Sequence, residues 1–353
     1  MDRLRLVQVG VGGWGETWVD RVVASDDWDL VAVVDADPEA AAAAGTRQGV
    51  ATVPTFASVA EAARSVEADA ALIVVPVGAH LPVATEALRA GWHVLVEKPI
   101  ADTMANSLEM VRRADASGHV LMVSQNYRFR RTAQVVTRIM SEGWLGPVHF
   151  ASVQLHKELH FVTPDPPGGF DAYTFVRDAG IHHFDQIRAC LGVEPVRVYG
   201  RQDNPPWSWF THPPMISAVL ELEGGGIVQF YGSWIARGKN TSFDGDWHVE
   251  CANGQLRWES NRVFVRPTEP WLTIQMDGYV ERRDGWMEAI VDEDVAEDRS
   301  RVLEVFADSL RTGKPPPTNG HDNLRTAALS FALADSAADG VAHEIAPYLL
   351  AAD

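Results

Sequence analysis

The sequence predicts an α/β protein of two domains. A doubly wound parallel sheet over residues 1–124 precedes an α/β domain over 125–353 built on a large, mostly antiparallel open sheet. Three observations carry this. The apolar run Leu4–Val9 opens directly into Gly10-Val11-Gly12-Gly13-Trp14-Gly15, where a strand gives way to a helix. Continuous apolar runs then alternate with helical stretches as far as Ser124, as in a parallel sheet covered on both faces. After Asn126, short strands of alternating polarity recur between glycine turns.

Each element has its own signal. Strands are expected at Leu4–Val9, Leu30–Val34, Ala70–Val75, His93–Glu97 and His119–Ser124. Helices are expected at Pro38–Ala44, with proline in the first turn, and at Ser58–Ser65, where Ser58 and Glu61 have capping-box spacing. Two more, His80–Ala90 and Thr103–Ser117, end at Gly91 and Gly118. In the second domain a helix Thr132–Ser141 leads to a long strand, Val148–His156, and Ile181–Leu191 is apolar enough for a buried helix. Strands follow at Ser217–Glu223, Ile227–Trp234, Trp247–Ala252, Gln255–Glu259 and Val263–Arg266, then a last helix at Leu324–Ala338. Thr163–Gly169 is irregular, and residues 268–298 show no clear pattern.

The first turn carries chemistry as well as fold. Its spacing is G-x-G-x-x-G between a strand and a helix, and Asp35 ends the second strand 20 residues after Gly15. A dinucleotide-binding βαβ unit needs this arrangement. Gly10 allows the tight turn, Gly12 lets the backbone approach a pyrophosphate, and Gly15 lets helix and strand pack closely. Gly13 and Trp14 complete the turn at the helix N-terminus, whose N–H groups favour an anion. Asp35 can accept hydrogen bonds from both adenosine ribose hydroxyls and would repel a 2′-phosphate. Ala36, Asp37 and Pro38 offer no cation for that phosphate, so NAD is expected over NADP, with Arg47 the nearest residue able to alter the preference.

Composition narrows the class. The 353 residues are 46% hydrophobic and carry a net charge of −18, which disfavours nucleic acid or an anionic membrane as partner. No apolar run is long enough to span a bilayer, and the N-terminus lacks a signal-peptide pattern, so the expected location is cytoplasmic. Two cysteines, Cys190 and Cys251, make no disulfide framework. Trp207 and Trp209 sit in a loop, where they could stack on a sugar ring or pack an oligomer interface.

Two segments are candidates for the reaction itself. Glu97-Lys98-Pro99 follows a strand at the carboxyl edge of the parallel sheet, where open α/β sheets bind ligands. A lysine there can donate to a substrate hydroxyl and favour a developing alkoxide. In Asp178-Ala179-Gly180-Ile181-His182-His183, the acid and His182 are four apart. On a helix they share a face, so the acid can orient an imidazole that takes a proton from an alcohol. Val75 ends a parallel strand and Pro76 and His80 follow it, and all three are expected to border the cofactor, as is Glu97. Gln125, Asn126, Tyr127 and Arg128 follow the last parallel strand, and His156, Lys157 and His160 end the long strand of the second domain. Of these, Tyr127, Arg128, His156 and Lys157 are the expected substrate contacts. No ligand set for a metal is complete.

Taken in order, Gly10–Gly15, Pro76 with His80, Glu97-Lys98-Pro99, Asp178-x-Gly180-x-His182 and the closing Gly320-His321-Asp322-Asn323 to Gly340 stretch resemble the glucose–fructose oxidoreductase / inositol dehydrogenase / MocA family of NAD(P)-dependent oxidoreductases. The resemblance covers nearly the whole chain. It implies a Rossmann domain, a second domain whose open sheet builds a homo-oligomer interface, and hydride transfer to or from a sugar or polyol. It also implies that Lys98 binds the reacting oxygen, His182 is the acid/base and Asp178 supports it. Two other outcomes are compatible with the same motifs. One is a glycoside-cleaving enzyme that uses retained NAD transiently, and the other is a dinucleotide-binding sensor without catalysis.

Overall fold

The computed structural model describes residues 2–47, 49–159, 174–269 and 278–350. His160 and the irregular segment 163–169 lie outside the described residues. The chain divides into two compact units, Met1–Asn126 with Glu297–Ala327, and Tyr127–Ala296 with Ala328–Leu350.

The first unit runs β1 (Leu4–Val9), α1 (Trp14–Ala24), β2 (Trp28–Val34), α2 (Pro38–Gly45), β3 (Thr55–Phe56), α3 (Val59–Ser65), β4 (Ala70–Ile73), α4 (His80–Arg89), β5 (His93–Glu97), α5 (Met104–Ser117) and β6 (Leu121–Ser124). Its six strands are parallel, in the order β3-β2-β1-β4-β5-β6. The order reverses between β1 and β4, the switch point outside whose carboxyl edge doubly wound sheets bind ligands. β4 and β6 are buried at every position, which is why their sequences are continuously apolar rather than alternating. The capping signals are realised. Ser58 accepts from the Glu61 N–H, Thr103 caps α5 through the Asn106 N–H, and Gly118 closes α5 in the left-handed region.

In the second unit come α6 (Arg131–Ser141), β7 (Val148–His156), α7 (Ile181–Leu191), β8 (Pro195–Asp203), β9 (Met215–Leu222), β10 (Ile227–Ser233), β11 (Asp246–Cys251), β12 (Gly254–Glu259), β13 (Arg262–Pro267), β14 (Tyr279–Glu281) and β15 (Met287–Ala289). A π-helical turn, Phe175–Gly180, leads into α7. The chain returns to the first unit with α8 (Asp298–Thr312) and the start of α9 (Gly320–Asp339), then ends near β16 (His343–Glu344). The segment Glu297–Ala327, grouped with the second domain in the sequence reading, thus completes the first unit. Trp28 explains why. It is fully buried, stacks on Phe306 of α8 at 5.4 Å, and donates its indole N–H to the Leu303 carbonyl at 3.0 Å.

The second sheet has ten strands in the order β14-β15-β13-β12-β11-β7-β10-β9-β8-β16. All described pairings are antiparallel except β7 with β10. One face is apolar and covered by helices. Phe184 of α7 meets Phe230 edge-on at 5.2 Å, and Ser336 of α9 accepts from the Gly200 N–H at 3.0 Å. The other face keeps large side chains exposed, among them Tyr199, Val219 and Ile227. Among the described residues no helix is long and apolar enough to cross a membrane. Cys190 and Cys251 are free thiols, and burial pushes the Cys190 thiol up to about 12 and that of Cys251 to about 11.

Candidate functional site

The glycine turn of the first unit is shaped by close backbone approach on one side and open space on the other. Gly10 has φ +88°, and a Cβ there would stand 2.1 Å from the Val74 carbonyl oxygen. A Cβ on Gly15 would stand 2.4 Å from the Gly10 carbonyl oxygen. At Gly12 it would meet only the Ala40 methyl at 3.5 Å, and at Gly13 nothing within 4 Å. Among the described residues, the Cβ directions of Gly12 and Gly13 are thus nearly unobstructed, and no side chain caps α1 at Gly13. Such a turn fits the pyrophosphate of a dinucleotide. Gln8 is a residue the sequence reading missed. Its side chain is buried, and its Nε2 donates to the carbonyls of Gly10 at 3.1 Å and Gly15 at 2.8 Å, clamping both ends of the turn. A polar residue set between Val7 and Val9, next to the glycine turn, was the available signal.

Asp35 directly follows β2, and its two carboxyl oxygens accept from the Val11 and Asp37 N–H groups, each at 2.9 Å. Arg47 is held on α1 by Glu16 at 2.7 Å and Asp20 at 2.7 Å. His80 is buried at the start of α4. Its Nε2 lies 3.0 Å from the Val75 carbonyl, and its Nδ1 lies 3.0 and 3.3 Å from those of Pro99 and Ile100. Burial pushes the His80 pKa down, against the pull of those carbonyls. His80 thereby ties the Val75-Pro76 loop to the turn after β5.

That turn is Glu97-Lys98-Pro99. The Glu97 carboxyl is buried and accepts from the indoles of Trp18 at 2.8 Å and Trp14 at 3.2 Å, from the Ser124 hydroxyl at 3.4 Å, and from the Lys98 N–H at 3.0 Å. The Arg299 guanidinium of α8 lies 4.3 Å from the Trp14 ring centre and 5.5 Å from that of Trp18, and donates to Thr17 at 2.5 Å. Burial lowers the Arg299 pKa. Glu97 thus anchors the backbone on which the half-buried Lys98 stands.

The second unit gathers a different set. Tyr127 lies in a short 3-10 turn ahead of α6, and its ring stacks on His182 of α7 at 3.8 Å and 15°. The Arg130 guanidinium lies 3.3 Å from the same ring centre. Arg128 and Asp185 form a buried two-toothed ion pair, with Nε to Oδ2 at 2.7 Å. Asp244 accepts from Gln186 at 2.8 Å and from Arg130 at 3.1 Å. His183 is fully enclosed, its ring nitrogens 3.3 Å from the Ala179 carbonyl and 3.1 Å from that of Phe243, and burial pushes its pKa down to about 4. Asp178 is exposed on the π-helical turn, one turn ahead of His182. Lys157 donates to the Thr241 carbonyl and lies 4.1 Å from the Phe243 ring centre, and burial lowers its pKa. His156 meets Tyr231 edge-on at 5.3 Å. Arg130 and Asp244 were not singled out from sequence. A cavity of about 690 Å³ in this unit, with Thr137, Cys190 and Leu222 in its wall, contains none of the predicted site residues. Among the described residues no group of three or more His, Cys, Asp or Glu could hold a metal.

An open glycine turn on a parallel sheet, closed by an acid at the end of β2, defines a dinucleotide-binding protein. The chain belongs to the GFO/IDH/MocA oxidoreductase family. The family's NAD-binding Rossmann model matches residues 4–125, and its C-terminal domain model matches residues 133–257. A 1,5-anhydro-D-fructose reductase of Ensifer adhaerens is 24% identical over 96% of this chain and 97% of its own. A D-xylose 1-dehydrogenase [NADP(+)] of Haloarcula marismortui is 28% identical over 91% of this chain and 87% of its own. An oxidoreductase of Agrobacterium radiobacter, solved with NAD+, L-tartaric acid and magnesium, shares the fold. Its TM-score is 0.85 at 19% identity, covering 98% of this chain and 99% of that one. The chain is thus an NAD(P)-dependent oxidoreductase with an NAD-binding Rossmann domain.

Proposed function

We propose that the chain oxidises a secondary alcohol of a sugar or cyclitol, or reduces the matching ketone, with NAD as the hydride carrier. The observation that carries this reading is the open glycine turn with Asp35 beside it, joined to the Glu97-anchored Lys98. Gly10–Gly15 and the N-terminus of α1 would hold the pyrophosphate, Asp35 the adenosine ribose, and Val75, Pro76 and His80 the loop bordering the cofactor. Bound nicotinamide supplies the hydride acceptor or, in reverse, the donor. Lys98 donates to the reacting oxygen and stabilises negative charge as it develops. His182 accepts the hydroxyl proton at a ring nitrogen, and Asp178 supports the imidazolium. The substrate classes named for the relatives, an anhydro-sugar and a pentose, are of the same chemical kind. Glu97 and Arg128 act as anchors here, because their polar atoms are engaged by Trp14, Trp18 and Asp185.

NAD over NADP follows from charge. Asp35 would face a 2′-phosphate, and Arg47 is engaged by Glu16 and Asp20 on α1. A homo-oligomer assembled through the exposed sheet face suits Tyr199, Val219 and Ile227, which lie on one side of β8, β9 and β10. We place the enzyme in the cytoplasm.

The test is reduced-nicotinamide absorbance on a panel of sugars, cyclitols and sugar acids, with NAD and NADP in parallel. Wild type, Lys98→Ala and His182→Ala are compared. A signal with NAD on a ring polyol, lowered about 10²–10⁴-fold in His182→Ala while NAD binding persists, is the expected result. Turnover in His182→Ala equal to wild type would sink the assignment of the acid/base.

A further inference from the structure

We infer that Tyr127 and Arg130 are positioning residues, which clamp the His182 imidazole in a three-layer stack of guanidinium, phenol and imidazole. The inference rests on the reading of His182 as the acid/base, and it changes the role expected of Tyr127.

The geometry is specific. The Tyr127 ring centre lies 3.8 Å from that of His182 with the planes 15° apart, and 3.3 Å from the Arg130 guanidinium carbon. Two flat groups at such distances cannot share one face of a six-membered ring, so they occupy opposite faces. Both faces of Tyr127 are therefore covered, and the ring is closed to stacking on a sugar.

Each layer is fixed from behind. Gln186, one turn after His182 on α7, donates to the Tyr127 carbonyl at 3.3 Å and to Asp244 at 2.8 Å. Asp244 also accepts from Arg130 at 3.1 Å and is itself buried. The neighbouring Arg128–Asp185 pair bolts the 3-10 turn that carries Tyr127 onto the helix that carries His182. His183 meets Tyr127 edge-on at 6.2 Å, which closes the ring's rim on that side.

The consequence for chemistry is orientational. An imidazole stacked flat on a clamped phenol cannot turn about its Cβ–Cγ bond without losing the contact. Its ring nitrogens then stay in one plane, and proton exchange with a hydroxyl requires that line to be held. The electron-rich face of Tyr127 also favours the imidazolium, and Arg130 on the far face, neutralised in part by Asp244, tempers that preference.

The test needs no substrate. Histidine side chains are labelled with ¹⁵N in the full-length protein, and the His182 resonances are assigned by their loss in His182→Ala. Stacking on Tyr127 places the His182 ring protons in its shielding cone. The expected result is upfield ring protons in wild type, retained in Tyr127→Phe, and moved downfield in Tyr127→Leu. Arg130→Met, which keeps the aliphatic stem, is expected to broaden or split the same resonances. His182 protons at the same position in wild type and Tyr127→Leu would overturn the stack. Melting curves guard against misfolding, and Tyr127→Phe keeps the test readable if Tyr127→Leu does not fold, because unshielded protons in the wild type alone refute it. On a turned-over polyol from the panel, Tyr127→Leu should lower kcat at least tenfold at near-constant KM, with Phe restoring it. A Phe variant with raised KM would instead mark the hydroxyl as a substrate contact and overturn the assignment. Failure of the acid/base reading shows separately, as undiminished turnover in His182→Ala with the His182 resonances still shielded in the wild type.

Discussion

A methyl group added at Gly12 and one added at Gly15 should have opposite consequences, though the two positions are three residues apart. In Gly15→Ala the new Cβ would stand 2.4 Å from the Gly10 carbonyl oxygen and 2.8 Å from its carbon, about 1 Å inside ordinary contact with backbone that cannot swing away. Overpacking of this kind costs about 1–3 kcal/mol, reduced by the better helix propensity of alanine at a helical position. For a unit of this size that lowers Tm by about 2–8 °C. In Gly12→Ala the Cβ meets only the Ala40 methyl at 3.5 Å, and φ is outside the left-handed region, so stability should hold to within about 0.5 kcal/mol. The methyl would instead stand where the pyrophosphate approaches. NAD affinity should fall about 10- to 100-fold, equivalent to about 1.4–2.8 kcal/mol. Calorimetric titration with NAD and a thermal melt of each cofactor-free variant separate the two effects. Gly12→Ala binding NAD like the wild type would show that the phosphates do not cross this turn.

Three further outcomes can be checked. Asp35→Asn removes a negative charge while leaving one acceptor for the Val11 or Asp37 N–H, and the ratio of NAD to NADP affinity should narrow at least tenfold by titration. Glu97→Gln puts an amide nitrogen against an N–H donor in a buried site, at a cost of about 1–3 kcal/mol in denaturant unfolding. A fall in kcat should accompany it, because Lys98 loses its backbone anchor. His183 is enclosed with its pKa pushed from 6.5 to about 4, so the unfolded chain binds the extra proton first as pH drops. The stabilisation is therefore complete above pH 6.5 and is lost as pH falls from there to about 4, by about 3 kcal/mol in all. His80 and His93, also lowered by burial, act in the same direction. Urea unfolding at pH 7 and pH 4.5 should show this fall shrink in His183→Asn, and an equal fall in both would refute it.

Much of the first unit was legible because its elements carry local signals. Ser58, Thr103 and Gly118 mark helix ends by hydrogen bonds or φ values that few other residues supply, and the observed ends agree with them. The long strand β7 and the helix α7 were equally plain, with bounds matching the expectation at both ends. What stayed hidden depends on distant partners. β8 begins with a proline and alternates only loosely, so nothing in Pro195–Asp203 announces a strand until β9 pairs along it. α8 reads as a charged stretch of Arg, Asp and Glu, and its apolar side becomes meaningful only against Trp28. The candidate site divides the same way. Gly10–Gly15 and Asp35 are written in one βαβ stretch, whereas Gln8, Arg130 and Asp244 gain their places from contacts that no spacing encodes.

The late return of Glu297–Ala327 to the first unit has a consequence for how the molecule is made. The parallel sheet is fully translated once β6 has emerged, yet Trp28 still lacks Phe306 and the Leu303 carbonyl, and the Val123 N–H lacks the Thr318 carbonyl. A ribosome must add about half the chain again before those partners arrive. A fragment ending near residue 126 would leave a tryptophan and a sheet edge uncovered, inviting aggregation. The dinucleotide unit is therefore not a detachable module that can be cut out and grafted as one stretch, because its last helices are delivered only after nine of the ten strands of the second sheet have passed through the exit tunnel.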